Sequence, residues 1–384
     1  MTPAEFEFAP SGRIVFGAGR AAELAFHART LGSRALVCTG AHPGRHGALL
    51  ERLGMPFQTF SVPGEPTVET ARAGGEQGRG MGADLVVAIG GGSVIDLGKA
   101  VAMLLANGGD PLDYLEIIGA GRLIERPSAP LIAAPTTAGT GSEATANAVL
   151  ASPGDRCKAS LRSAFMVPSV AVVDPLLSSS CPPAVTASSG LDALTQCLEP
   201  FVSLRANPVT DALAREGLKR AATGLRRSYC DGNDLEARTD MALCSLLGGI
   251  ALANAKLGAV HGLAGVIGGT VDIPHGAACA AVLVATVEAN VRALRLREPA
   301  SRALDKYREA AQLLTGRTDA AIEDGTAWIA ETVRLLGIGT LSSYGLRPEQ
   351  AGEVVSKARQ ASSTKGNPIE LRDDELHGVL NASI

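Results

Sequence analysis

Two histidines, His261 and His275, lie in one glycine-rich helical stretch, and each is followed directly by glycine. Asp192 and Gln196 stand four residues apart in a segment with helical spacing, 182–204. An i, i+4 pair shares one helix face, so two oxygen donors there could meet a single ion. Two imidazoles and a carboxylate, with one position left open, are a common set for zinc or Fe(II). The competing reading makes each histidine a helix cap or a satisfied core group, and spacing alone leaves both readings open.

A second kind of chemistry is written in glycine. Gly90-Gly91-Gly92-Ser93 follows the apolar run Asp84–Ile89 and opens a helix expected near Ile95, with Asp96 and Lys99 in its first turns. Glycines let backbone approach phosphate oxygens, and a helix N-terminus offers N–H donors and positive potential. Three glycines in a row exceed what a tight turn needs for packing, so the loop reads as a pyrophosphate cradle. Pro135–Glu143 follows another apolar run, Pro130–Ala134. Its Thr136, Thr137, Thr140 and Ser142 offer hydroxyls to phosphate or ribose oxygens, although a plain polar connection has the same composition. Gly17-Ala18-Gly19-x-x-Ala22 has the outline of a dinucleotide fingerprint, but Gly40 stands where an acid should close the next strand, so it reads as a turn.

The elements that must carry these residues fall into two halves. Up to about Asp174, β-type runs alternate with helical ones. The β-type runs are Arg13–Phe16, Ala35–Thr39, Phe57–Val62, Asp84–Ile89, Pro130–Ala134 and Val170–Val173; the helical ones are Ala21–Thr30, Gly47–Gly54, Thr67–Met81 and Ile95–Ala106. Such alternation predicts a parallel sheet with helical crossovers. From Pro182 onward the spacing is helical: Pro182–Leu204, Pro208–Leu225, Leu235–Ala255, Gly276–Leu294, Glu298–Leu314, Asp319–Leu336 and Pro348–Ala361, with a loop over Ser362–Pro368. The expected organisation is an α/β domain over residues 1–180 and an all-α domain over 181–384.

Composition narrows the function classes. The 384 residues carry 35 Lys+Arg and 39 Asp+Glu, a net charge of −4, which argues against a nucleic-acid footprint. Hydrophobic residues at 46% and charged ones at 19% are those of a globular protein with a large core. Pro175–Leu191, a long uncharged stretch, is too short and too rich in Ser and Pro to span a membrane, and Met1–Pro10 has no signal-peptide character. Seven widely spaced cysteines without a CxxC read as buried thiols of a cytoplasmic protein.

Taken in order, Gly90-Gly91-Gly92-Ser93-x-x-Asp96-x-x-Lys99, Pro135 to Glu143, Gly190-x-Asp192-Ala193-Leu194 and the two His-Gly pairs resemble the iron-containing alcohol dehydrogenase family, over about residues 5–380. The start, Gly12 to Gly19, is similar to its maleylacetate reductase branch. The resemblance implies a dehydroquinate-synthase-like fold, with an active site in the cleft between an N-terminal dinucleotide-binding domain and a helical domain. It implies NAD or NADP on the Gly90–Ser93 loop and the Thr136-Thr137 loop, with Lys158 at the nicotinamide ribose. It also implies a divalent metal on Asp192, residue 196, His261 and His275, and a homodimer or larger assembly.

Departures from the family pattern are informative. Gln196 replaces the usual histidine ligand, a poorer donor for iron or zinc. Gly265 replaces a second histidine, removing a relay group and enlarging the pocket. Gly40 replaces the carboxylate that pairs with the 2′-hydroxyl of NAD, which leaves room for a 2′-phosphate with Arg45 as partner. The leading reading is metal-assisted hydride transfer between NAD(P)H and a small aldehyde, ketone or oxo-acid. The alternatives are a metal-independent reductase of the maleylacetate type, an internal redox cycle of the dehydroquinate synthase type, and a nucleotide-binding homologue without turnover.

Overall fold

The computed structural model describes residues 5–155 and 157–384. Two compact units emerge. The first holds Pro10–Thr137 and Gly141–Ser180; the second holds Cys181–Ile384, joined by Ala138–Thr140 and a stretch ending at Ala9.

The first unit contains strands β1 (Arg13–Phe16), β2 (Ala35–Gly40), β3 (Phe57–Val62), β4 (Leu85–Gly90), β5 (Leu131–Pro135), β6 (Asn147–Ser152), β7 (Cys157–Arg162) and β8 (Val170–Val173). Its helices are α1 (Leu24–Leu31), α2 (Gly47–Glu51), α3 (Val68–Gly80), α4 (Gly92–Asn107) and α5 (Pro111–Tyr114). Six strands form one sheet in the order β1-β8-β5-β4-β2-β3, with every pairing parallel. The central strands are apolar on both faces because both are covered. Leu36, Cys38, Val86 and Ala88 pack towards α3 and α4, while Ala35, Val37, Leu85 and Val87 pack with Leu24 and Ala28 of α1 and Leu50 of α2. Each fully buried valine or leucine contributes about 1.5–3 kcal/mol.

Strand order also locates the ligand end of the sheet. From β2 the chain runs outward to β3, whereas from β4 it runs the opposite way to β5. In open parallel sheets, ligands bind outside the carboxyl ends of the strands at such a reversal. The residues there are Gly40, ending β2, and Gly90, ending β4.

Two local features differ from expectation. The glycine run does not precede a helix starting near Ile95; α4 begins at Gly92, with Gly91 as its N-cap, so the run forms the first turn itself. Residues 147–152 and 157–162 form an antiparallel ribbon, β6 on β7, where no strand was expected. Its inward side chains Ala148, Leu150, Ala159 and Leu161 join the core beside α4. In β6 the apolar Val149 and Ala151 lie on the outer face and Ser152 on the inner one, so no clean apolar–polar alternation marks it.

The second unit is helical: α6 (Pro183–Val202), α7 (Pro208–Cys230), α8 (Leu235–Ala255), α9 (Ala259–Thr270), α10 (His275–Arg297), α11 (Arg302–Thr315), α12 (Ile322–Leu335), α13 (Ala351–Gln360) and α14 (Asp373–Ser383). Leu191, Leu194, Phe201, Leu218, Leu263, Leu283 and Leu380 belong to its one continuous core. Start signals lie in the sequence: Pro183 and Pro208 sit in first turns, and Asn207 accepts from the Val209 and Thr210 amides. The α14 helix was not anticipated, although Asp373, Asp374 and Glu375 suit its positive N-terminal end.

Among the described residues, α10 alone is long and apolar enough to cross a membrane by composition, but 72% of that window is buried in the protein, as befits a core helix. Cys38, Cys197, Cys244 and Cys279 are buried thiols; Cys157 and Cys181 are half-buried, and Cys230 is exposed rather than buried.

Candidate active site

In the α/β unit, the two loops read from sequence as nucleotide-binding are built around Lys99. This lysine of α4 is fully buried. Its Nζ donates to Ser142 Oγ at 2.7 Å, Thr145 Oγ1 at 2.8 Å and the Asn147 carbonyl at 2.7 Å, with Asp96 Oδ1 at 3.4 Å. Ser142 Oγ donates to Asp96, whose other oxygen accepts from the Val149 amide. Asp96 and Ser142, expected at the cofactor, therefore engage their side chains in a buried network that ties α4 to the loop after β5. Burial lowers the Lys99 amine, with Asp96 acting against it.

Above that network the loops meet. The Thr136 amide donates to the Gly90 carbonyl at 2.9 Å. A Cβ at Gly91 would lie 3.3 Å from Thr137 Oγ1, and one at Gly90 would lie 2.5 Å from Val94. Gly92 and Ser93 lie in the first turn of α4, where amides have no intrahelical partner. A Cβ at Gly40 would meet nothing within 4 Å. Arg45 is exposed in the turn after β2. Lys158, on β7, pairs with Glu65 at 2.7 Å.

Glu143 is buried beside this network. Burial pushes its carboxyl up to about 7, opposed by its own backbone hydrogen bond and by Lys99. Its folded value lies above its unfolded value, so its contribution is complete below the unfolded value of about 4.5 and falls as pH rises to about 7. The loss is about 3 kcal/mol. Glu143→Gln is expected to flatten the fall in melting temperature between pH 5 and about 8; an unchanged slope counts against the assignment.

In the helical unit, four side chains converge: Asp192 on α6, His261 on α9, and His275 and Cys279 one turn apart on α10. Their ligating atoms all lie within 4.8 Å of one another. Asp192 Oδ1 stands 3.3 Å from His261 Nε2 and 3.9 Å from His275 Nε2, and Cys279 Sγ lies 3.7 Å from His275 Nε2. Asp192, His261 and Cys279 are buried, while the His275 side chain is 38% exposed.

Glycine permits this approach. A Cβ at Gly276 would fall 2.0 Å from the Ser188 carbonyl and 3.1 Å from Asp192 Cβ, so the residue after His275 must be glycine for α10 to reach α6. A Cβ at Gly262 would fall 2.0 Å from Thr364 Oγ1. The His-Gly pairs thus join a ligand to a close helix contact.

Glu199, on α6, orients His261. Its Oε2 lies 2.6 Å from His261 Nδ1, and its Oε1 accepts the Val260 amide at 2.7 Å. Asn367 Oδ1 accepts the Ala259 amide, so the start of α9 is held from two sides. A carboxylate accepting at Nδ1 places the proton there and turns the Nε2 lone pair inward. Among the described residues, Asp192 Oδ1 and His261 Nε2 are buried and lack a hydrogen-bond partner. Burial would raise the Asp192 carboxyl, but the neighbouring His261 and His275 imidazoles hold it low. Burial opposes protonation of His261, yet Cys279, Asp192 and Glu199 raise it well above its usual value, so the acidic neighbours favour a positive charge at this point, be it a proton or a metal ion in its place. Two orphaned donors of lone pairs, beside a thiol and a second imidazole, fit a divalent cation.

Of the expected ligands, Asp192, His261 and His275 are brought together. Gln196 is buried one turn along α6, and its Nε2 donates to the Gly139 carbonyl at 3.0 Å. Gly265 is exposed, and a Cβ there would meet nothing within 4 Å. Sequence reasoning missed Cys279 and Glu199. The i, i+4 spacing of His275 and Cys279 was a usable signal; the Glu199–His261 pairing, 62 residues apart, had none.

The sequence profile described as iron-containing alcohol dehydrogenase matches residues 10–175, and that of the family's C-terminal part matches 186–384. The chain belongs to the iron-containing alcohol dehydrogenase family. Alcohol dehydrogenase 4 of Saccharomyces cerevisiae is 38% identical over 65% of this chain and 64% of its own length. The chain thus spans just under two thirds of that relative. A crystal structure of 1,3-propanediol oxidoreductase superposes with a TM-score of 0.91 at 30% identity, covering 99% of this chain and 100% of that one. Sulfoacetaldehyde reductase from Bifidobacterium kashiwanohense, solved with NAD+, gives a TM-score of 0.87 at 29% identity over 99% of both chains. Such likeness over whole chains confirms the dehydroquinate-synthase-like fold class: a parallel sheet with helices, followed by an all-helical part.

Proposed function

We propose that the protein is an NAD(P)-dependent alcohol dehydrogenase, interconverting a small alcohol with its aldehyde or ketone, or a hydroxy-acid with its oxo-acid. The observation that carries this reading is the convergence of Asp192, His261 and His275 around two orphaned buried atoms, in a chain of this family. When bound, a divalent iron or zinc ion would supply Lewis acidity to the carbonyl oxygen. A bound nicotinamide would supply the hydride-transfer chemistry.

The chain's own residues do the positioning. Gly90, Gly91, Gly92 and Ser93 admit the pyrophosphate to the start of α4. Thr136, Thr137 and Thr140 offer donors to phosphate and ribose, and Lys158 reaches the nicotinamide ribose on leaving Glu65. Asp96 and Ser142 hold these loops through Lys99 rather than touching the cofactor themselves. Asp192, His261 and His275 bind the cation, and Glu199 keeps His261 Nε2 turned towards it. The buried thiols support a cytoplasmic setting.

Turnover decides the reading. Stoichiometric loss of NADH or NADPH with one of a panel of small aldehydes, ketones and oxo-acids is expected; tight cofactor binding with no turnover of any of them would overturn it. The open space at Gly40 supports use of NADP. Gly40→Asp is expected to lower kcat/KM for NADP relative to NAD by about 100-fold, because a carboxylate pairs with a 2′-hydroxyl and repels a 2′-phosphate. An unchanged ratio places cofactor choice elsewhere.

A further inference from the structure

We infer that Cys279 is a metal ligand and, with Asp192, His261 and His275, makes a site that prefers zinc to iron. The inference rests on the metal-assisted reading above. Position 196, the fourth ligand implied by family resemblance, holds a neutral amide whose nitrogen is bonded to the Gly139 carbonyl. Cys279, by contrast, sits one turn beyond His275 on α10, and its Sγ belongs to the group of ligating atoms within 4.8 Å of one another.

The spacings suit four protein ligands at tetrahedral distances, around an ion that would expand to five-coordinate to admit the carbonyl oxygen. Bonds of about 2.1 Å to nitrogen or oxygen and about 2.3 Å to sulfur give N–O edges of about 3.4 Å and N–S edges of about 3.6 Å. The observed separations are 3.3 and 3.9 Å for Asp192 to the two histidines and 3.7 Å for Cys279 to His275. Charge points the same way. Asp192 and Cys279 are both buried, and a carboxylate with a thiolate neutralises a divalent ion, whereas Asp192 with Gln196 leaves a buried positive charge. A thiolate is a soft donor, which favours zinc over Fe(II). The cysteine thus makes up in charge and softness for what glutamine at 196 withholds.

Cobalt(II) is the probe, because a thiolate ligand gives it an intense near-ultraviolet charge-transfer band that oxygen and nitrogen ligands do not. Metal-stripped full-length protein loaded with one equivalent of cobalt(II) is expected to show the band. Cys279→Ser should lose the band and bind zinc about 100-fold more weakly or worse. Gln196→Ala, which keeps the thiol, should retain the band. Cobalt bound without the band, a Cys279→Ser spectrum like the wild type, or no cobalt binding by the wild type would each overturn the proposal. The outcome separates from the functional reading: turnover of NAD(P)H without the band leaves the dehydrogenase and removes the cysteine ligand, and the band without turnover does the reverse.

Discussion

His275→Ala is expected to lower kcat by about 1,000-fold or more while leaving the far-ultraviolet circular dichroism unchanged and the melting temperature within a few degrees. The side chain is 38% exposed and is the first residue of α10, so its loss opens no cavity in the core. Its imidazole nevertheless stands 3.9 Å from Asp192 Oδ1 and 3.7 Å from Cys279 Sγ, inside the cluster. Lewis-acid stabilisation of a developing alkoxide is worth several kcal/mol, and about 4 kcal/mol corresponds to a thousandfold in rate. Steady-state kinetics with saturating cofactor, alongside metal content per chain, make the test. Full activity in this variant would remove the metal-centred mechanism. His261→Ala is the less clean probe, since it also leaves Glu199 buried and unpaired on one side.

Lys99→Met is expected to destabilise the α/β unit by about 3–5 kcal/mol, the cost of removing one partner from a buried ionic contact. The ammonium group serves Ser142, Thr145, the Asn147 carbonyl and Asp96 at once, with no exposed surface of its own. Methionine fills a similar volume and offers none of them a proton. For a unit of this size the shift in melting temperature is about 6–20 °C. Because the same network joins α4 to the loop carrying Thr136 and Thr137, dissociation constants for NADH and NADPH should rise together. Loss of cofactor affinity without loss of stability would make Lys99 a cofactor contact rather than a structural tie.

Different physical scales explain which features were legible. Strand–helix alternation in the first half has periods of two and 3.6 residues, and those periods live in local sequence. Six parallel strands and most helices were visible on that ground. The β6–β7 ribbon was not, because its inward apolar residues are only Ala148, Leu150, Ala159 and Leu161, and β6 carries apolar residues on both faces. Asp96 and Ser142 show what residue type alone leaves out: both are engaged by a lysine buried between them, which no local pattern announces.

The sequence by itself determined the family, the parallel sheet, the glycine turn that opens α4 and three of the residues that meet in the helical unit. These rest on residue type, short spacing and motif order. Tertiary structure alone decided that Glu199 turns His261, that Lys99 ties the loops and that Cys279 joins Asp192 and the histidines. Each of those depends on elements tens of residues apart being brought within bonding distance; for Cys279, Gly276 allows it by letting α10 lie against α6. Packing sets such distances, and no local period encodes them.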